Sequence, residues 1–358
     1  MIKNRQYFPA LTGIRAVAAY MVFLMHYNPV SQKSSFLFDF ISQFYTGVSI
    51  FFVLSGFLIT YRYSNVFSFE LSSIKKYILS RVARIYPLYF ILTTITFIAV
   101  LIGTTSNNFS FSENVKHEFL IYILNITFLR GFFEDLIFSL IAPGWSLTVE
   151  ETFYFVVPFL WIFRKPFQIF ISVILILSVG FLLCFIGGYF DFKGFFASDV
   201  FMLKFTFFGK FVQFLGGMIV AYLLLKGKEL GLPHKTYFGV IILLFSIIAL
   251  ALVWKYKLIY LSIFIDNVCL TIGVSLLIWG LIKERTYLSR MLALPLFDLL
   301  GKSSYAFYLI HVGVFYELFS SIGVNSVLFQ FILINIIAVF LYKGVESPMQ
   351  KLILKKYK

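Results

Sequence analysis

Long apolar runs recur along the chain at 8–28, 40–61, 85–103, 145–163, 167–188, 206–225, 237–254, 259–282, 297–319 and 326–342. A hydrocarbon core of ~30 Å is crossed by about 20 helical residues. The runs therefore predict an all-α integral membrane protein of about ten transmembrane helices. Residues 112–143 do not fit this pattern. Their apolar stretch at 122–129 is too short to span, so a short interfacial or re-entrant segment is expected there. No internal repeat, low-complexity tract or linker divides the chain, which reads as one membrane domain over 1–358.

Composition agrees. Hydrophobic residues make up 60% and charged residues only 13%, about half the charge that a water-facing surface carries. The net charge of +14 would suit nucleic acid, but Lys and Arg sit at the ends of apolar runs rather than on one soluble face. No nucleic-acid partner is expected. With ten spans and the N-terminus inside, 21 of the 30 Lys and Arg fall in or beside inside segments. The positive-inside rule then places both termini in the cytoplasm of a multi-pass plasma (inner) membrane protein. Cys184 and Cys269 lie within apolar segments without partner spacing and carry no redox or metal signal.

Ionisable groups inside spans cost roughly 2.5–3.5 kcal/mol each on insertion scales, so they mark function by default. Arg15 and His26 lie within the first run. Eleven positions at 100° come to about 1100°, within ~20° of three turns, so both project from one helical face, ~16 Å apart along its axis. Arg81 and Arg84 precede Tyr86-Pro87 on one face of a further helix. They serve as interfacial topology charge or as a bidentate phosphate clamp. In Pro143-Gly144-Trp145-Ser146-Leu147-Thr148-Val149-Glu150-Glu151-Thr152-Phe153-Tyr154, two carboxylates stand where lipid should begin. The helix dipole accounts for one of them better than for both. Ser55-Gly56 reads as a close helix approach. His311 reads as helix–helix glue or as a site wall, and Asp266 fits either role.

Several chemistries are excluded. Gly301-Lys302-Ser303 lacks the upstream glycine of a phosphate loop, whose place Leu296 occupies. His117-Glu118 has Ile121 at the second zinc-ligand position. No Gly-x-Ser-x-Gly nucleophile elbow occurs. No metal cofactor is expected.

Taken in order, the segments resemble the acyltransferase-3 family of polytopic membrane acyltransferases over almost the whole chain. Tyr7-Phe8-Pro9-Ala10-Leu11-Thr12-Gly13-Ile14-Arg15 with His26 is similar to its N-terminal signature. Phe51-Phe52-Val53-Leu54-Ser55-Gly56-Phe57-Leu58 is similar to its second-span motif, and Arg81-x-x-Arg84-Ile85-Tyr86-Pro87 to its cytoplasmic Arg pair. Trp145-Ser146-Leu147-x-x-Glu150, Ser304-Tyr305 through His311, and Glu346-Ser347-Pro348 resemble its later motifs.

The resemblance implies transfer of an acyl group, most often acetyl, from cytoplasmic acetyl-CoA to a hydroxyl of a cell-surface carbohydrate or lipid-linked glycan. Many members carry a further periplasmic esterase-like domain. This chain ends at Lys358 and is expected to be a stand-alone form, which acts directly or passes the group to a separate esterase-like partner. Activation of a hydroxyl and stabilisation of an oxyanion are the hard steps of such a transfer. His26 is the natural general base, with Arg15 orienting the acyl carbonyl or pantetheine arm and Glu150 orienting His26 or touching the acceptor. Arg81, Arg84, Tyr86, Trp145 and Ser146 are the expected coenzyme A residues. Ser55, Gly56, Glu151, Tyr154 and His311 are further candidates. A secondary transporter or flippase using Arg15, His26 and Glu150 as a relay is the alternative.

Overall fold

The computed structural model describes residues 6–30, 32, 35–102, 115–163, 165–190, 192–321 and 326–355. Among the described residues the secondary structure is helical, and the β pairing is confined to an isolated bridge between Phe133 and Phe195. In chain order, the helices of eight residues or more begin with α1 (Pro9–His26), α2 (Gly47–Tyr63), α3 (Leu71–Leu101), α4 (Val115–Ile126), α5 (Trp145–Leu160) and α6 (Pro166–Gly187). They continue with α7 (Phe207–Leu225), α8 (Lys235–Lys255), α9 (Leu270–Lys283), α10 (Pro295–Ile310), α11 (Val314–Ser321), α12 (Val327–Leu341) and α13 (Ser347–Lys355).

Among the described residues, eight helical stretches are long and apolar enough to cross a membrane: Pro9–His26, Phe36–Tyr63, Leu71–Leu101, Pro166–Gly187, Asp199–Leu225, Lys235–Lys255, Ile259–Lys283 and Val327–Lys355. The apolar runs at 145–163 and 297–319 hold the shorter α5 and α10, each of 16 residues. At 1.5 Å per residue these reach about 24 Å, less than a hydrocarbon core. The second run is interrupted at Gly313, which adopts φ +82° between α10 and α11; only glycine takes that conformation without strain. The segment expected to be interfacial begins with 112–114, outside the described residues. Its helix α4 has 12 residues and is followed by short 3₁₀ turns at Arg130–Phe132, Glu134–Leu136 and Ala142–Gly144.

The described residues fall into two compact units. The first draws on Met1–Val66, Phe155–Gly180 and Phe207–Lys302. Its helices approach through small residues, as expected where lipid supplies no hydrophobic drive and van der Waals contact decides packing. Gly56 of α2 lies against the Phe214 carbonyl of α7, and Gly217 of α7 lies against the Val53 carbonyl of α2. A Cβ at either position would collide with backbone. The same device joins α8 and α9, where Gly239 meets Leu277 and Gly280 meets Thr236. Leu11, Ile14, Val53, Phe57, Val274 and Trp279 fill the core between these contacts.

The second unit draws on Phe67–Tyr154, Phe181–Thr206 and Ser303–Lys358. Here buried phenols tie helices to neighbouring backbone. Tyr77 donates to the Tyr154 carbonyl (3.1 Å), Tyr89 to the Asn125 carbonyl (3.1 Å) and Tyr305 to the Ile85 carbonyl (2.9 Å). A phenol buried in this way keeps its apolar body in the core while its hydroxyl stays hydrogen-bonded.

Candidate active site

The candidate residues divide between the two units. In the first, Pro9 opens α1 at a position where its missing N–H costs no helical bond. The uninterrupted helix to His26 preserves the eleven-residue phasing that puts Arg15 and His26 on one face. Arg15 is half-buried, its guanidinium 6.0 Å from the Phe51 ring centroid. His26 is the last residue of α1 and is exposed, because the helix ends there and no further turn covers it. Ser55 is half-buried, and Gly56 makes the α2–α7 contact described above.

In the second unit, α3 and the first turns of α5 bring an arginine, a phenol and two carboxylates together. The Arg81 guanidinium lies 5.7 Å from the Tyr154 ring centroid, a cation–π arrangement. Tyr154 is buried and its hydroxyl donates to Glu150, one turn earlier in α5. Glu151 lies within electrostatic reach of both Glu150 and Arg81. The arginine pair is thus divided in its contacts. Arg81 belongs to this network, whereas Arg84 is half-buried and has no hydrogen bond or ion pair to the described residues. Tyr86 stacks on Phe90 (5.7 Å) and meets the edge of Phe128 (6.1 Å).

The turn before α5 is held by a residue that the sequence reading passed over. Arg130, wholly buried, donates from its two terminal nitrogens to the Ser139 and Ile141 carbonyls. Leu140 between them adopts a left-handed conformation, φ +51°. Gly144 is required here, since a Cβ would strike the Arg130 guanidinium and crowd Tyr89. Thr148 donates to the Phe128 carbonyl (2.6 Å), and Asn125 donates to Ser139 Oγ (2.9 Å). The result is a fixed start for α5. There the Ser146 hydroxyl donates to the Pro143 carbonyl (3.0 Å) and lies 3.1 Å from the Tyr308 hydroxyl, while Trp145 packs edge-on against Phe205 (5.2 Å). His311 is fully buried, stacks on Phe307 and donates from Nδ1 to the Tyr308 carbonyl (2.7 Å).

Chemically, the second unit presents guanidinium groups suited to phosphate or carboxylate oxygens, beside carboxylates able to accept from a hydroxyl. The first presents an exposed imidazole able to take a proton. Lys210, Gln213 and Asn267, buried in the first unit, were also absent from the sequence-based candidates.

Comparison with known proteins is consistent with these features. The sequence profile of the acyltransferase-3 family, described as an acyltransferase domain, matches residues 8–342. The chain is 26% identical over 383 aligned residues to proteins provisionally named O-acetyltransferases in Staphylococcus aureus strains COL and MSSA476. Each alignment covers 98% of this chain and 58% of the relative. The chain therefore spans little more than half the length of those curated relatives. It is also 30% identical over 173 residues to the peptidoglycan O-acetyltransferase OatA of Listeria monocytogenes, covering 45% of this chain and 25% of that protein. No solved structure matches the chain significantly.

Proposed function

The chain belongs to the acyltransferase-3 family, and on that premise we propose that it is an integral membrane O-acyltransferase carrying acetyl groups from cytoplasmic acetyl-CoA to a hydroxyl of a cell-surface carbohydrate or lipid-linked glycan. Residues 1–358 act as one acyltransferase domain with about ten spans, the shorter α5 and α10 included, lying in the plasma membrane with both termini in the cytoplasm. A separate esterase-like partner could receive the acyl group before final transfer. The observation that best supports an enzyme is the Arg81–Tyr154–Glu150 network, which joins a cation, a buried phenol and a carboxylate across α3 and α5. Such groups are costly in lipid and are retained where they contact polar substrates.

The reaction balances as follows. The acceptor oxygen bonds to the thioester carbonyl carbon as its proton passes to His26. The tetrahedral oxyanion then collapses, the carbon–sulfur bond breaks, and coenzyme A leaves as a thiolate that takes up the proton. Arg15 orients the acyl carbonyl. Arg81 and Arg84 contact the coenzyme A phosphates, with Tyr86, Trp145 and Ser146 lining the donor, and Glu150 orients His26 or touches the acceptor. Ser55, Gly56, Glu151, Tyr154 and His311 shape and support these positions.

The decisive experiment is thiol release. Purified protein supplied with acetyl-CoA should liberate free thiol slowly, and faster when a carbohydrate acceptor is added. Failure to cleave the thioester under both conditions would remove the acyltransferase reading.

A further inference from the structure

A second polar cluster lies in the first unit, built on membrane-length stretches at 36–63, 199–225 and 259–283. Lys210 of α7 forms an ion pair with Asp266 and also donates to Asn267 Oδ1 at 3.2 Å. The Ser49 hydroxyl of α2 donates to the other Asp266 oxygen at 2.9 Å. Gln213, one turn beyond Lys210, donates from Nε2 to Asn267 Oδ1 (3.0 Å) and to the Asp266 carbonyl (3.3 Å). None of the five residues is more than 6% exposed.

Asp266 and Asn267 sit in a single π-helical turn, Ile265–Cys269, immediately before α9. Such turns insert one residue into a helix and recur at functional sites. Here both adjacent side chains face Lys210 and Gln213, which an undistorted helix, with 100° between neighbours, would not favour. Helix packing does not require this arrangement. The glycine contacts of α2 with α7 already fix the neighbouring helices, and a buried ion pair is commonly replaceable by apolar residues without loss of stability.

Two bonding positions stay open. Gln213 Oε1, wholly buried, has no hydrogen-bond partner among the described residues. Lys210 Nζ carries three N–H groups, and its hydrogen bonds within the described residues go to two acceptors, Asp266 and Asn267. One free acceptor beside one free donor is the complement of a hydroxyl group, which both donates and accepts. The charges of Lys210 and Asp266 cancel, so the cluster suits a neutral polyhydroxyl compound rather than an anion. On α2, Ser49 stands between Gly47, which packs against the Ala18 carbonyl and Val22, and Phe51, whose ring centroid is 6.0 Å from the Arg15 guanidinium, so the cluster is level with the middle of α1.

We propose that Ser49, Lys210, Gln213, Asp266 and Asn267 form a subsite that recognises one hydroxyl of a carbohydrate acceptor. The inference rests on the O-acyltransferase reading for its choice of ligand, and its test is separable from that reading. Wild-type protein in lipid nanodiscs is titrated calorimetrically with N-acetylglucosamine tetrasaccharide and with maltotetraose, in the absence of acyl donor. At least one glycan should bind saturably. The charge-balanced double variant Lys210→Met with Asp266→Leu should weaken that binding by about tenfold or more, as expected for loss of one charged hydrogen bond. Gln213→Leu should weaken it by a smaller factor, and a retained coenzyme A affinity and thermal midpoint show that each variant is folded.

Equal glycan affinity in wild type and folded variants, or no saturable binding of either glycan to wild type, overturns the subsite. Where wild type cleaves acetyl-CoA but these results are obtained, the subsite alone fails. Where the variants lose glycan affinity yet wild type releases no thiol, the acyltransferase reading fails and the glycan subsite stands.

Discussion

The Arg81 guanidinium lies over the ring of Tyr154, 5.7 Å from its centroid, while Arg84 on the same helix has no polar contact with the described residues. The two arginines of one motif therefore answer differently to removal. Arg84→Ala should weaken coenzyme A binding by ~1.5–3 kcal/mol for a lost charged hydrogen bond, with little change in thermal midpoint. Arg81→Ala should weaken binding similarly and also lower the midpoint, because it strips a buried phenol of its cation. Calorimetric titration with coenzyme A, beside thermal unfolding of each variant, separates these outcomes. Unchanged affinity in both would return the pair to fixing topology.

Arg130 makes a different kind of prediction. Its fork reaches two carbonyls at once, and an ammonium on a flexible stem cannot reproduce that geometry. Arg130→Lys keeps the charge but should destabilise the fold by about 2–5 kcal/mol, since at least one buried carbonyl is left unsatisfied. The thermal midpoint in detergent reports the loss. A wild-type midpoint in Arg130→Lys would mean that the turn before α5 is held by its other hydrogen bonds.

Gly56 tests the close packing of α2 on α7. A methyl group there meets the Phe214 carbonyl, which is backbone and cannot rotate away. Gly56→Ala should therefore cost about 1–3 kcal/mol, the usual penalty of overpacking. The effect should appear in thermal unfolding. The reciprocal Gly217→Ala should resemble it, because the Val53 carbonyl stands in the same relation.

These residues also show what the sequence could reveal. Membrane-length helices were legible because their signal is local and depends on length, and α1 kept Arg15 and His26 in the phase that their spacing required. The role of Gly56 was legible for the same reason: a small residue in an apolar run has few other uses. Arg130 was not legible. It lies in an irregular segment without periodicity, and its acceptors are carbonyls that any residue supplies. Lys210 stands four residues into the run at 206–225, where a cation reads as boundary charge, and its partner Asp266 follows 56 positions later. Contacts between distant residues leave no trace in a single sequence. The shortness of α10 was likewise obscured, because hydropathy continues past Ile310 while the backbone turns at Gly313.

Glu284, just beyond α9, caps the start of α8. Its carboxylate accepts from the Lys235 amide (2.7 Å), the Thr236 amide (2.9 Å) and the Thr236 hydroxyl (2.6 Å). Burial pushes the carboxyl up, but the hydrogen bonds from Thr236 and Lys235 outweigh it and hold the group below the usual carboxylate value. A depressed carboxyl contributes its stability above the unfolded-state value near ~4.3 and loses it as pH falls through the lower folded value. Glu284→Gln should thus be less stable than wild type by about 1–2 kcal/mol at neutral pH. The gap between their thermal midpoints should close on acidification below pH ~4. A gap that does not vary with pH would show that the amide and the carboxylate cap α8 alike.

His26 carries the catalytic proposal, and its exposure at the end of α1 makes the prediction sharper. At the last position of the helix His26 lies beyond its hydrogen-bonded turns, so His26→Ala should still fold, which the thermal midpoint checks. A general base contributes typically 10²–10⁴-fold to rate. Acceptor-stimulated thiol release from acetyl-CoA should therefore fall by at least about a hundredfold, whereas coenzyme A affinity, assigned to Arg81 and Arg84, should hold. The pattern of lost turnover with intact donor binding distinguishes a proton acceptor from a residue that shapes the donor site. Should His26→Ala keep its turnover, the base lies elsewhere, and Glu150, already accepting from Tyr154, becomes the next carboxylate to substitute.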